Sequence, residues 1–197
     1  MARFSILADP ELADVSNTLR KRLETLANEI APEDFSEGVL GPLMKAVLAS
    51  SFCQVDACEG ALWLADQQEE FLVPVFNSGP ESDKFVGKFK QPLNSGLISM
   101  VYATEQPFCE NEVHQNSQHD KTIDTAMNRV TVSMVAVPLF FGCRVRGVIS
   151  CVRLKSPASD APVPPMFCGK RMREMQLTAE TVQRLIEHRL ISIALDW

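Results

Sequence analysis

Residues 130–154 read VTVSMVAVPLFFGCRVRGVISCVRL. Two apolar runs, Val130–Phe141 and 145–154, meet at Gly142-Cys143-Arg144, and Gly142 can take the positive φ that a tight connection requires. Val, Ile, Phe and Met dominate both runs, so the segment predicts an antiparallel hairpin. In the first run Val132, Met134 and Ala136 fall on one face and Val135, Val137 and Leu139 on the other. A strand that is apolar on both faces belongs inside a sheet covered on both sides. Pro138 cannot donate to a ladder and marks a bulge or a bend. The second run closes on Arg153-Leu154-Lys155, where the strand is expected to reach water.

The rest of the chain must supply the two covers. Asp9-Pro10-Glu11 predicts a helix start, with Asp9 as cap and Pro10 in the first turn. Leu12, Val15, Leu19, Leu23, Leu26 and Ile30 then recur at three- and four-residue steps, an apolar stripe that Ala31-Pro32 ends. A second helix is expected from Ser36 or Glu37 to Phe52, with Val39, Leu40, Leu43, Met44, Val47 and Leu48 facing inward. Strands are expected at 57–65, 71–76, 85–93 and 107–113, the third short and partly exposed. Asn94-Ser95-Gly96 opens a short helix over Leu97–Thr104, with Ser95 or Asn94 as cap. Segment 114–122 has almost nothing to bury and reads as a loop, and 123–130 as one or two helical turns. Four prolines among residues 156–165 predict an extended connector, and a last helix runs over 177–195 with Leu177, Val182, Leu185, Ile186, Leu190 and Ile193 on one side. This order excludes a regularly alternating parallel sheet. It predicts an α+β fold, an antiparallel sheet with the N- and C-terminal helices on one face and a short helix and loops on the other.

With 197 residues the chain suffices for one domain burying roughly 70% of its unfolded surface. A net charge of −6 speaks against nucleic acid or anionic membrane as partner, since both need clustered cations. No apolar run approaches the ~20 residues of a membrane span, and the N-terminus does not read as a secretory signal. Six cysteines without CxxC spacing then read as reduced thiols in a cytoplasmic protein.

Glu59-Gly60-Ala61-Leu62-Trp63-Leu64, Leu93-Asn94-Ser95-Gly96-Leu97-Ile98 and Glu105-Gln106-Pro107-Phe108 resemble blocks of the GAF domain, a small-molecule-sensing relative of the PAS fold. Val135-Ala136-Val137-Pro138-Leu139 followed by Gly142-Cys143-Arg144-Val145-Arg146-Gly147-Val148-Ile149 is the most recognisable of them. The resemblance implies a GAF-like domain over 37–197, with 1–36 as a flanking helix that could pair in a dimer. It also implies a pocket on the sheet face away from the terminal helices. By position in such a fold, the ligand contacts are expected from Ser95, Leu97, Ile98, Met100 and Val101, from Phe108 and Glu110, from Met127 and Asn128, and from Ser133.

Individual residues then narrow the chemistry. The Asn-Lys…Phe…Asp-Glu pattern of cyclic-nucleotide-binding members is not placed here, and the surroundings of Cys109 and His114 do not match bilin-binding members. The family's enzyme, free methionine-R-sulfoxide reductase, needs an attacking and a resolving thiol near the middle helix, where Cys109 stands alone. His114 and His119, beside Glu112 and Asp120, read as polar loop rather than metal ligands. Cys143 is expected exposed at the hairpin tip, and Cys53, Cys58, Cys151 and Cys168 are expected as small core residues. No phosphate-cradling glycine loop or nucleophile elbow is present. The reading is a small-molecule-binding sensory module, not a catalyst, with an unspecified ligand, no assigned cofactor or metal, and a homodimer through its terminal helices. The alternatives are a protein-interaction domain with an empty pocket, and a thiol-based redox protein using Cys109.

Overall fold

The computed structural model describes residues 10–156 and 164–195. The hairpin is formed by β5 (Val130–Phe141) and β6 (Arg144–Lys155), paired from Val130↔Lys155 to Phe141↔Arg144. Gly142 and Cys143 make the turn with φ of +62° and +68°, the two-residue geometry whose twist matches that of the strands. With β1 (Glu59–Ala65), β2 (Phe71–Asn77), β3 (Gln91–Pro92) and β4 (Phe108–Glu110) they form an antiparallel six-stranded sheet in the order β3-β2-β1-β6-β5-β4. Pro138 lies beyond the end of β4, whose pairing stops at Phe108↔Ala136, and a register shift follows it at Leu139/Phe140.

The two-sided burial of β5 is real. Val135, Val137 and Leu139 join a core with Leu62, Leu64 and Ile149 under the long helices, while Met134, Ala136 and Val148 join a second core with Trp63, Leu97 and Val101 on the opposite face. The first face is covered by α1 (Pro10–Glu29), α3 (Pro42–Gln54) and α7 (Gly169–Ala194), the second by α4 (Ser82–Phe85), α5 (Leu97–Thr104) and α6 (Thr122–Ala126).

Several elements depart from expectation for physical reasons. The second helix is broken: α2 (Pro32–Asp34) and a wide turn over Phe35–Val39 precede α3, because Pro42 holds Gly41 extended at ψ 171°. Ala27 and Phe35 are fully buried, so the layer over the sheet begins before residue 37, and Leu43 faces outward. Of residues 85–93 only Gln91–Pro92 pair as a strand, and residues 85–90 do not. Phe85 and Phe89 are four residues apart, a spacing that fits one helical turn as well as two strand steps; they stack at 5.8 Å and both meet Trp63 edge-on. Helix α7 begins eight residues earlier than expected and buries Met175, Ala179, Val182, Ile186 and Leu190, leaving Leu177 exposed. The α5 cap is Gly96 at φ +89°, not a Ser or Asn side chain. Arg153 is buried rather than wetted: Nε and Nη2 donate to the Asp56 and Val55 carbonyls at 3.0 and 3.1 Å, Nη1 donates to the Pro165 carbonyl, and the guanidinium lies 4.2 Å from the Phe167 ring. The predicted Asp9 cap, the Leu12 side chain and most of the proline connector lie outside the described residues.

The C-terminal end of α1 is fastened to both turns at one end of the sheet. Gln67, between β1 and β2, donates to the Glu29 carbonyl at 2.6 Å. From β6, Arg146 Nη2 donates to the Ile30 carbonyl at 3.4 Å and Arg144 Nε to Asn28 Oδ1 at 2.9 Å. Toward its N-terminus the helix leaves the core, and Val15 is 64% exposed.

Candidate functional site

Between the sheet and its shorter cover lies a cavity of about 60 Å³. Its sheet wall is Glu59, Ala61 and Trp63 of β1 with Thr131 and Met134 of β5 and Ser150 and Val152 of β6. Alternation aims 59, 61 and 63 to one side of β1 and 150 and 152 to the same side of β6. A register shift between Thr131 and Ser133 lets Thr131 and Met134, three residues apart, share that face. Leu97 and Ile98 of α5, Phe85 of α4, Gln91 of β3 and the segment His119–Arg129 close the other side.

The polar groups on this wall hold one another. Trp63 Nε1 donates to Ser150 Oγ at 2.9 Å. Arg129 Nη1 donates to Glu59 Oε1 at 2.6 Å, and both side chains are largely buried. Asp124 accepts from the Thr131 amide at 2.8 Å and hydroxyl at 2.7 Å, and its Oδ2 lies 3.2 Å from His119 Nε2. Burial alone would raise the Asp124 pKa, but the bonds from His119 and Thr131 outweigh it and hold the carboxyl below its ordinary value. Asp120 Oδ1 accepts from the Thr122 hydroxyl and amide, which likewise keep that carboxyl low, while Oδ2 faces Gln91 Nε2 at 3.3 Å. Both carboxylates are therefore ionised at neutral pH.

Of the residues expected at the site, Leu97 and Ile98 line the cavity. Ser95 and Met100 border an adjoining open groove, Asn128 borders another, and Val101 is packed in the core. Phe108 and Met127 pack against the same core without reaching the cavity wall. Glu110 caps the amides of Asn111 and Glu112, and Ser133 is buried on the side of Val135, toward the long helices. Sequence reasoning missed Glu59, Trp63, Ser150, His119, Asp120, Asp124 and Arg129. The 114–122 loop does bury something: the His119 side chain is 8% exposed and lies on the wall. A signal existed in Glu59 and Ser150, polar residues inside otherwise apolar strands.

None of the six cysteines lines this cavity. Cys109 packs against the core on the far side of the sheet, where burial, together with Cys168 and Glu110, raises its pKa. Cys151 is buried and pushed up to about 12. Cys53, Cys58 and Cys168 are exposed, not core residues, and Cys143 is exposed at the turn.

Neither a protein-family model nor a curated protein matches the sequence. Solved structures do. The GAF domain of an Acinetobacter phosphoenolpyruvate-protein phosphotransferase superposes with a TM-score of 0.59 at 16% identity, over 96% of this chain and 99% of that one. The chain has the GAF fold. The GAF domain of the corresponding Coxiella burnetii protein gives a TM-score of 0.62 at 16% identity, over 87% of this chain and 92% of its own. Free methionine-R-sulfoxide reductase from Neisseria meningitidis, in complex with its substrate, gives 0.57 at 17% identity, over 96% and 98%. The GAF fold thus appears among these neighbours both as a domain of a phosphotransferase and as a sulfoxide reductase. Among the described residues, no helix is long and apolar enough to cross a membrane.

Proposed function

We propose that this protein is a regulatory GAF module that binds a small molecule in the cavity between Trp63 and the His119–Arg129 segment and acts in trans or between two copies. The observation that carries the reading is the cavity itself: ionisable side chains from separate elements and loops converge on one half-open space beside an indole, an arrangement typical of ligand sites. A binding role is favoured over thiol chemistry because every cysteine sits away from this wall and Cys109 faces the opposite core. Dimerisation through the terminal helices is part of the proposal, supported by the exposed Val15 on α1 and Ile191 on α7. Native mass spectrometry of freshly purified protein tests the binding role: a small mass retained natively and lost on denaturation is expected. An empty chain that also binds no member of a metabolite panel overturns it. Light scattering tests the pairing, and a monomeric mass at working concentration removes it.

A further inference from the structure

The ionised groups on the cavity wall are already matched. Arg129 is paired with Glu59, Asp124 takes its bonds from Thr131 and His119, and Asp120 takes its own from Thr122 and Gln91. An anion entering here would face three carboxylates. A cation would find a donor already seated on each of them, and the Arg129 guanidinium beside Glu59. What is left unspent is two-sided. Trp63 Nε1 donates to Ser150 Oγ, and among the described residues the Ser150 hydroxyl proton reaches no acceptor. Arg129 Nε, buried on the same wall, has no hydrogen-bond partner among the described residues either. On the acceptor side, no donor among them reaches Glu59 Oε2. Ser150 and Glu59 are 4% and 7% exposed, so what they have left is directed into the cavity they line. Glu59 pairs with Val152 and Ala61 with Ser150, which makes Glu59 and Ser150 diagonal neighbours on one face of β1 and β6, about 7–8 Å apart at the backbone. A carboxamide, its oxygen and nitrogen about 2.3 Å apart, spans such a gap with one hydrogen bond of about 2.9 Å at each end. Trp63 and Phe85, edge to face at 5.1 Å, give its plane flat apolar sides. The cavity shares Gly96, His119 and Asp120 with the open groove beside it, which leaves a way out for a substituent.

We infer that the cavity selects an uncharged head group that both accepts and donates, a primary carboxamide or ureido group, with its oxygen on Ser150 and its N–H on Glu59. This rests on the binding role proposed above and narrows it to a chemical class. The test uses four probes of one size, acetamide, acetone, acetate and acetamidinium, titrated into the full chain at fixed ionic strength and followed by saturation-transfer NMR. Acetamide is expected to bind saturably and ~10-fold more tightly than acetone, which only accepts, and than either ion. Glu59→Gln puts an amide N–H where Oε2 stood. It is expected to bring acetamide down to the affinity of acetone, with acetone itself and the circular dichroism spectrum unchanged. An unchanged acetamide affinity in that variant overturns the assigned seat. The wild-type series decides the class whether or not the variant folds. Acetone matching acetamide overturns the two-sided class, and either ion binding as tightly overturns its neutrality; both outcomes leave the binding role standing. Binding by no probe overturns the class, and the binding role then stands or falls on native mass spectrometry and the metabolite panel.

Discussion

Replacing Asp124 tests the polar network that shapes the cavity. Asp124→Ala removes the acceptor for the Thr131 amide and hydroxyl and for His119, three groups at 2.7 to 3.2 Å. Bonds to a buried carboxylate contribute about 1.5–3 kcal/mol each, and the orphaned donors add their own desolvation, so a loss of about 3–5 kcal/mol is expected. In a chain of this size that lowers Tm by about 6 °C or more. Asp124→Asn keeps one acceptor oxygen, and the Thr131 hydroxyl can turn to accept from the new amide, so its cost falls to about 1–2 kcal/mol. Urea unfolding followed by tryptophan fluorescence reads both. The pH dependence has a fixed sign. Because the folded pKa lies below the unfolded value of about 3.9, the carboxylate's stabilisation is complete above that pH and vanishes as pH falls through the folded pKa. The gap between wild type and Asp124→Ala therefore narrows in acid. An Asp124→Ala protein within about 0.5 kcal/mol of wild type at pH 7 refutes the network as a structural element.

Other outcomes follow from single positions. Cys143 sits at φ +68°, so Cys143→Gly relieves left-handed strain of about 1 kcal/mol and raises the urea midpoint. Gly142→Ala does the reverse: it takes an L side chain to φ +62° and sets a Cβ 2.4 Å from that of Ala27, so at least ~2 kcal/mol of stability is lost in the same unfolding assay. A Cβ at Gly60 meets the Phe52 ring at 2.3 Å, and Gly60→Ala is expected to cost about 1–3 kcal/mol by thermal unfolding. The amides of Arg171 and Lys170 at the start of α7 hold the exposed Cys168 thiol below its ordinary pKa, while burial raises Cys109 and Cys151. Iodoacetamide at pH 7 therefore labels Cys168 well before either, as read by peptide mass spectrometry.

The hairpin and the two-sided burial of β5 were legible because apolar residues on both faces admit one location, the interior of a covered sheet. Leu97–Thr104 was legible for a different reason, a breaker followed by a compact apolar run. Residues 85–93 were not, since Phe85 and Phe89 satisfy two periods at once and only Trp63, distant in sequence, decides between them. The cavity was hidden for a related reason. Two of its pairs join residues far apart in the chain, Glu59 with Arg129 and Trp63 with Ser150, and no local pattern announces such pairs. Arg153 looked like a strand end in water because the carbonyls that bury it belong to other segments.

The anchoring of α1 has a mechanical consequence. Its end is tied to the turn between β1 and β2 and to the turn between β5 and β6, two points about 10 Å apart at normal strand spacing, and β1 and β6 carry the cavity wall on their other face. The helix is 20 residues long, about 30 Å. The three anchored residues, Asn28, Glu29 and Ile30, are consecutive, so an offset of one turn against the other is met within the last turn of the helix, beside the fully buried Ala27.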